Sequence, residues 1–394
     1  MFLYESLVKG KGSVKKICIV TTVPMAVNVF LVQHIHELLK KYEVTVVTNL
    51  SEGVCDLPDS VKLISVPISR DLNLFSDVFV FGRLIFIFLR SRFDAVISVT
   101  PKAGLLSSIA GLLSLVPIRI HWFTGQVWAT KKGWVRYFLK LSDRMLKLCL
   151  TDILVDSQSQ LDFLVSERVL KKGQGRVLAS GSISGVDLNR FRPSLDLKLE
   201  YRKKLNIPID ELVILFLGRL NFDKGVLDLI NAFEMVSKTV DNLNIVFVGP
   251  DEGDYINLIK SNVFGMDGRV HFVGKTSKPE CWLNIADIVC LPSYREGFGS
   301  VIIEASAVGL PAVVSRVYGL TDAVVDGVTG LMHEPGDIKG LSEVLKVLLG
   351  DDCLRSSMGL AAFKRAHLEF DVVIVVAAFS TYINSLFFFP NEED

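Results

Sequence analysis

The strongest constraint on the fold is an alternation, found twice along the chain, of short apolar runs and longer segments with helical periodicity. Alternation of this kind is typical of parallel sheets covered by helices on both faces. The predicted fold class is therefore α/β, with two Rossmann-like domains. The candidate strands are residues 16–21, 44–48, 61–66, 95–99, 118–123, 153–155, 213–217, 245–248, 270–273, 288–291 and 312–314. The candidate helices are residues 29–40, 77–90, 104–115, 134–150, 226–238, 255–264, 301–308 and 338–349.

A length of 394 residues suits two domains rather than one core. Residues 181–210 are rich in Ser, Asn, Pro and charge, and are interpreted as the linker between the two series. The predicted domains are therefore residues 1–195 and 208–371. The uncharged segment 372–389 is long enough to suggest a membrane span, but Ser380, Thr381 and Asn384 in its middle argue against one.

The net charge is zero, yet it is unevenly distributed. Residues 1–200 hold 26 Lys and Arg against 17 Asp and Glu, and residues 201–394 hold the reverse, 17 against 26. This balance argues against a nucleic-acid partner and favours an anionic surface or substrate for the first half. The sequence has no C-x-x-C, no zinc pattern of histidines and no D-x-D, so neither a metal nor another cofactor is expected.

The most informative stretch is SYREGFGSVIIEASAVGLP, residues 293–311. A glycine-bearing turn follows a candidate strand, and Ser300 is expected to cap the next helix. Free amides at a helix N-terminus, approached through Gly297 and Gly299, predict an anion site. The ionised carboxylates of Glu296 and Glu304 would accept hydrogen bonds from sugar hydroxyls. The alternative is that both are ordinary solvated side chains.

A second motif, GRLNFDKG at residues 218–225, follows the candidate strand 213–217. Ligands of doubly wound sheets bind at the carboxyl ends of the strands, which is where both motifs fall. Arg219 and Lys224 would then neutralise a diphosphate and stabilise it as its charge grows on departure. The alternative is a surface loop with ordinary cations.

These motifs resemble those of the family 4 retaining glycosyltransferases, whose E-x7-E element matches Glu296 and Glu304. Similarity extends through RVHFVG, DGVTGLM and GVDLNRFRP. The resemblance implies a GT-B fold, in which two Rossmann-like domains face each other across a cleft, with helix 372–389 packing back on the first domain. It implies a catalytic role for Glu296. The donor-binding residues would be Arg219, Lys224, Gly297, Phe298, Gly299 and Glu304.

In the first domain, IHWFTGQVW places His121 where the family has a catalytic histidine lining the donor sugar and acceptor, although a lone histidine here is more often a core residue. Thr124, Gly125 and Gln126 would shape the acceptor side. The stretch TTVPMAVN replaces the family's glycine pair, so Lys102 in TPKAG is the alternative phosphate ligand. These features are similar to the subgroup that extends lipid-linked O-antigen or capsule units. YGLTD, residues 318–322, also departs from the family pattern and leaves the contact of Asp322 open.

Residues 131–150 form a basic, aromatic, amphipathic segment, which either lies in a membrane interface or packs against the sheet. The expected activity is transfer of a sugar from a nucleotide diphosphate donor, such as UDP-N-acetylhexosamine or another UDP-sugar, to a polyprenyl-diphosphate-linked saccharide. The expected location is the inner face of the cytoplasmic membrane, as a peripheral protein. The alternatives are a UDP-sugar 2-epimerase, which would need no acceptor, and a non-catalytic sugar-nucleotide-binding protein.

Overall fold

A computed structural model describes residues 14–69, 73–262 and 268–388. The described chain forms two six-stranded sheets. The strands of the first sheet are β1 Lys16–Val20, β2 Glu43–Thr48, β3 Lys62–Ser65, β4 Ala95–Ser98, β5 Ile118–Phe123 and β6 Asp152–Val155. Those of the second are β7 Leu212–Leu217, β8 Leu243–Val248, β9 Val270–Gly274, β10 Ile288–Leu291, β11 Ala312–Ser315 and β12 Gly330–His333.

Both sheets have the Rossmann strand order. The first runs β3-β2-β1-β4-β5-β6 and the second runs β12-β11-β10-β7-β8-β9. Neighbouring strands from β3 to β5 in the first sheet, and throughout the second, run parallel. The order reverses between β1 and β4 in the first sheet and between β7 and β10 in the second, and ligands of doubly wound sheets bind beyond the carboxyl ends of the strands at this reversal. The predicted α/β class with two Rossmann-like halves is confirmed.

The helices alternate with the strands and cover the sheets. They are α1 Pro24–Phe30, α2 Val32–Leu38, α3 Leu74–Ser91, α4 Pro101–Leu113, α5 Gly133–Leu148, α6 Gln158–Ser166, α7 Leu195–Lys204, α8 Val226–Val236, α9 Tyr255–Asn262, α10 Pro279–Leu283, α11 Ser300–Ala307, α12 Leu320–Ala323, α13 Ile338–Gly350, α14 Asp352–Glu369 and α15 Val372–Phe388. Helix α7 lies inside the predicted linker, and residues 263–264 of the predicted helix 255–264 lie outside the described residues.

Residue contacts divide the chain into two units. The first unit holds Met1–Phe123, Ser142–Leu154 and Phe379–Asp394, and the second holds Thr124–Leu141 and Val155–Ala378. The domain bounds 1–195 and 208–371 remain a prediction, and residues 1–13 and 389 of the predicted segments lie outside the described residues. The second unit therefore includes the TGQVW loop and α6, which precede the predicted linker.

The end of α15 packs within the first unit. Phe379 stacks on buried Trp122 with ring centroids 5.3 Å apart. Tyr42 donates its hydroxyl to Asn384 Oδ1 at 2.6 Å, and Tyr382 donates its hydroxyl to Asp152 Oδ1 at 2.9 Å. Two of the polar residues in this apolar segment, Tyr382 and Asn384, thus have partners elsewhere in the first unit. Within the described residues, the helices are all too short or too polar to cross a membrane.

Candidate active site

The two glycine-rich loops of the second unit lie side by side because β7 pairs directly with β10, Ile214 opposite Ile288. Gly225 has a left-handed φ of 65°, and a Cβ there would fall 2.1 Å from the Pro292 carbonyl oxygen. Only glycine allows this approach. The Tyr294 amide donates to the Asp223 carbonyl at 2.8 Å and joins the loops further. The two motifs, 72 positions apart at Lys224 and Glu296, therefore form one site.

Lys224 and Glu296 form an ion pair at the centre of this site. The Lys224 ammonium donates to Glu296 Oε1, and the Ser293 hydroxyl donates to the same oxygen at 3.0 Å. The two side chains are only 17% and 11% exposed. The cation predicted for the diphosphate and the carboxylate predicted for the sugar are therefore electrostatically coupled, and removing one leaves the other charge partly buried without its partner.

Arg219 occupies a more open position than Lys224. Its guanidinium is paired with Glu252 at 3.0 Å, and both side chains are more than a third exposed. The Asn221 side-chain amide donates to the same carboxylate at 2.9 Å. Solvent screens such a pair strongly, so an incoming diphosphate can compete with Glu252 for Arg219 at little cost.

Helix α11 begins directly after the glycine turn. Its N-cap is Gly299, with a left-handed φ of 85°, so the prediction that Ser300 caps the helix is wrong. Only a glycine enters this conformation without strain, and Ser300 then takes the first helical position. Phe298 is buried and packs edge-on against Phe370 at 5.3 Å. Phe298, which was predicted as a donor contact, therefore packs in the core beneath the turn. The free backbone amides in the first turn of α11 remain suited to bind an anion.

Glu304 lies on α11 as a carboxylate with no hydrogen-bond or ion-pair partner in the described chain. Burial raises its pKa to about 7, opposed by the charge of Arg190 and reinforced by Glu280. Arg190 itself pairs with Glu280 at 2.8 Å. A partly buried carboxylate without a protein partner has its acceptor oxygens available for a ligand hydroxyl.

The TGQ loop packs onto the glycine turn in the second unit. The Gly297 Cα lies so close to the loop that an added Cβ would stand 2.2 Å from the Thr124 carbonyl oxygen, and Gly125 makes the reciprocal approach. Buried Gln126 receives a hydrogen bond from Gln160 Nε2 at 3.1 Å and donates its backbone amide to the Tyr318 hydroxyl at 3.3 Å. The structure therefore brings Thr124, Gly125 and Gln126 beside Glu296 and Gly297.

Residues 156–160 complete this region and were not found from the sequence. Ser157 caps α6 by accepting from the Gln160 amide at 3.2 Å, and its hydroxyl donates to the Gly297 carbonyl at 3.4 Å. Asp156 is buried, and burial raises its pKa to about 7. The available signal was a run of polar residues, VDSQSQ, directly after strand β6. The amide and hydroxyl of Ser159 both donate to Asp322, which supplies the contact that YGLTD left open.

His121 belongs to the first unit, at the end of β5. It is 1% exposed, its Nδ1 lies 2.9 Å from the Ser98 hydroxyl, and its ring meets Phe123 edge-on at 4.6 Å. A Cβ at Gly104 would lie 2.4 Å from the ring, so glycine makes room for it. Burial lowers the pKa of His121 to about 3. It is therefore a neutral hydrogen-bonding group near neutral pH.

Lys102 lies in the first turn of α4 and is already engaged. Its ammonium pairs with Asp77 of α3 at 2.6 Å, and both side chains are largely buried. The charge of Lys102 is thus balanced by that of Asp77, and the ion pair joins α4 to α3. The described residues contain no cluster of three or more His, Cys, Asp or Glu side chains that could hold a metal ion.

Comparison with known proteins decides the family. The family described as Glycosyl transferases group 1 matches residues 198–365. The capsular polysaccharide biosynthesis glycosyltransferase CapM of Staphylococcus aureus is 32% identical over 318 residues, 79% of this chain and 81% of that protein. The chain belongs to the group 1 glycosyltransferases.

Solved structures give this glycosyltransferase a GT-B fold. Anabaena Alr3699/HepE in complex with UDP and glucose matches 94% of this chain and all of that one, with a TM-score of 0.77 and 17% identity. Sucrose-phosphate synthase from Thermosynechococcus elongatus matches 95% of this chain and 99% of its own, with a TM-score of 0.78 and 19% identity. The epimerase alternative gains no support from these similarities.

The close contact between the loops at Gly225 predicts how a substitution there changes the stability of the glycosyltransferase. We expect Gly225→Ala to lower the free energy of unfolding by about 3 kcal/mol or more, because it adds a steric clash with Pro292 to the left-handed strain. Urea denaturation measures the loss. The matched control is Gly327→Ala, which has φ 76° and no atom within 4 Å of the new Cβ, and should lose only about 1–2 kcal/mol. Equal losses in the two variants would contradict the loop contact.

Proposed function

We propose that this glycosyltransferase moves a sugar, with retention of anomeric configuration, from a nucleotide diphosphate donor to a polyprenyl-diphosphate-linked saccharide. The donor is a UDP-sugar such as a UDP-N-acetylhexosamine, and the product enters a capsule, O-antigen or related surface glycan. The observation that carries the proposal is the Lys224–Glu296 pair beside the glycine turn and the start of α11. Two similar proteins agree with it: HepE forms a complex with UDP and glucose, and CapM is named for capsular polysaccharide biosynthesis.

The donor occupies the second unit in this proposal. Lys224 and Arg219 receive the diphosphate together with the α11 amides, Glu304 holds the ribose hydroxyls, and Glu296 holds the sugar. As the bond to the sugar breaks, negative charge grows on the leaving phosphate oxygen, and the nearby cations stabilise it. These cations supply the charge that a divalent ion supplies in other enzymes, so no metal or other cofactor is proposed.

Retention follows from a front-face displacement. A double displacement needs a free carboxylate nucleophile, but Glu296 accepts hydrogen bonds from both Lys224 and Ser293, which lowers its nucleophilicity. In the proposed step, the bond between the anomeric carbon and the phosphate oxygen breaks as the acceptor oxygen bonds to the same face. The acceptor proton passes to the leaving phosphate oxygen, so the nucleotide diphosphate departs with it.

The acceptor side is proposed to involve Thr124, Gly125 and Gln126, with neutral His121 as a hydrogen-bonding residue for the sugar. Gln126 Nε2 is buried without a hydrogen-bond partner in the described chain, so it retains a donor for a ligand oxygen. Lys102 already forms an ion pair with Asp77, so it is proposed only as a secondary contact of the acceptor phosphate.

Attachment to the inner face of the cytoplasmic membrane is proposed to involve α5. The aromatic residues at its start are exposed, Trp134 by 77% and Phe138 by 60%, so this stripe is not buried against the sheet. Their rings cluster with Tyr137 at centroid distances of about 6 Å. Arg136 and Lys140, by contrast, pair with Glu167. Insertion of the aromatic face therefore contributes more here than the charge of the helix.

We expect Trp134→Ser combined with Phe138→Ser to reduce flotation with anionic vesicles by roughly tenfold or more, because each lost ring removes about 2 kcal/mol of apolar burial. Vesicle flotation measures the bound fraction. Leu368→Ser combined with Val373→Ser is the matched control, since both side chains are about as exposed, 75% and 69%. Unchanged flotation in the aromatic variant would remove α5 from the proposal.

Incubation of the protein with a panel of nucleotide sugars tests the donor assignment. The expected result is slow hydrolysis of one or a few UDP-sugars with release of UDP, and acceleration when a lipid-linked saccharide is added. Tight binding without any turnover, with or without acceptor, would favour a non-catalytic binding protein instead.

A further inference from the structure

The first unit contains a pocket that is remote from the carboxyl ends of its strands. It lies where β1, β2 and β3 begin and where α3 ends, and it encloses about 420 Å³. Apolar side chains line its wall, among them buried Ile87 and Phe93. The donor loops follow the strands of the other sheet, so this pocket has no part in the site described above.

The rim of this pocket is cationic. Lys16, Lys62 and Arg90 line it, are exposed, and form no ion pair within the described part of the chain. Among the described residues of the lining, Glu43 is the single carboxylate. Three cations against one carboxylate leave a local excess of two positive charges, an arrangement that attracts a phosphate group.

An apolar helix face continues from the pocket. Phe86 lines the pocket and also belongs to the exposed face of α3. The large apolar residues of that face follow helical spacing: Phe75, Val78, Phe79, Phe86 and Leu89. Phe75 is 91% exposed. An exposed apolar helix face of this kind beside a cationic rim matches an amphiphile with an anionic head and a hydrocarbon tail.

We propose that this pocket binds the phosphate headgroup of an anionic membrane lipid, while the apolar face of α3 enters the interface. This inference rests on the membrane attachment proposed above and gives that attachment a specific headgroup site. It also adds positive charge to that of α5, where Arg136 and Lys140 share the carboxylate of Glu167, because Lys62 and Arg90 have no ion-pair partner in the described chain. A soluble phosphate would use the rim but would leave the α3 face in water.

Flotation of the full-length protein with phosphatidylcholine vesicles, with and without phosphatidylglycerol, tests the proposal. We expect Lys62→Glu combined with Arg90→Glu to weaken binding to the anionic vesicles roughly tenfold or more. Each Lys or Arg near an anionic membrane is attracted by the negative surface potential, and the double variant reverses both attractions. Phe75→Ser combined with Phe79→Ser should weaken it as well. The charge-matched control is Lys339→Glu combined with Lys364→Glu, two exposed lysines of the second unit.

Equal losses in the pocket variant and the control would show a general charge effect and overturn the proposal. So would calorimetric binding of inorganic phosphate that depends on Lys62 and Arg90 while vesicle binding does not. Sugar transfer to a water-soluble acceptor separates the two proposals, because these side chains lie outside the donor site. If the wild type transfers sugar and the Lys62/Arg90 variant floats with the vesicles as the wild type does, only the lipid pocket is rejected. If the wild type transfers no sugar but its flotation depends on Lys62 and Arg90, only the catalytic assignment is rejected.

Discussion

Replacing Lys224 by alanine is expected to lower the rate of sugar transfer by roughly 10²-fold or more, the scale for losing one charge-stabilising donor at a reacting centre. Two effects combine. The leaving diphosphate loses its most sheltered cation, and Glu296 loses the partner that balances its charge in a site where both side chains are mostly buried. Steady-state kinetics with a saturating donor separates the loss in kcat from any loss in KM.

The matched control for Lys224→Ala is Lys275→Ala. Lys275 follows β9, at the same edge of the second sheet, and is exposed. We expect the control to retain nearly full activity, and Arg219→Ala to fall in the same direction as Lys224→Ala but less far, because solvent screens its more open position. Near-normal turnover of Lys224→Ala, with an unchanged unfolding midpoint, would remove Lys224 from the diphosphate site.

Replacing Glu304 by glutamine is expected to weaken binding of the bare nucleotide by roughly tenfold or more, whereas Glu296→Gln should spare that binding and reduce turnover. Glu304 has no hydrogen-bond partner in the described chain, so a ribose hydroxyl would be a principal hydrogen-bond donor to it. A hydrogen bond to a charged group contributes about 1.5–3 kcal/mol, which sets the expected size. Calorimetric titration of UDP into each variant gives the comparison, and the reverse pattern would reject the division of roles.

The raised pKa of Glu304, about 7, adds a pH dependence. The ionised carboxylate accepts hydrogen bonds at all its lone pairs, so nucleotide affinity should rise as the pH increases from about 6 to about 8. Below this range the carboxyl group is protonated, and the nucleotide affinity should stay at its lower value. Glu304→Gln should lose this dependence, because an amide does not titrate in that range. Affinity that is flat across the range in the wild type would show that the nucleotide does not use this carboxylate.

The strand pattern was largely predictable from the sequence. Buried parallel strands are continuous β-branched runs, and ten of the runs predicted here begin and end within one residue of the observed strands. Helix α7 and helix α14 were missed because neither has a strong apolar stripe, and their sequences LDLKLEYRKK and DCLRSSMGLAAFKRAHLE mix charges on all sides. Strand β12, GLMH, was too short to stand out next to a glycine turn.

The site was predictable as a set of residues but not as a set of contacts. The glycine turns and the order of the strands placed Arg219, Lys224, Glu296 and Glu304 after neighbouring strands. Nothing local revealed that Lys224 pairs with Glu296, or that Gly125 and Ser157 pack on the glycine turn. Such contacts join side chains far apart in sequence, and they depend on loop conformations that glycines at 225 and 297 permit.

The central claim is retaining transfer from a nucleotide sugar to a lipid-linked saccharide. Its most direct test is NMR of the product formed from UDP-N-acetylhexosamine donors and a short-chain polyprenyl-diphosphate-linked saccharide, with Lys224→Ala beside the wild type. We expect a new glycosidic linkage with the anomeric configuration of the donor, release of UDP in equal amount, and little product from the variant. An inverted linkage, or release of an epimerised free sugar that needs no acceptor, would contradict the account.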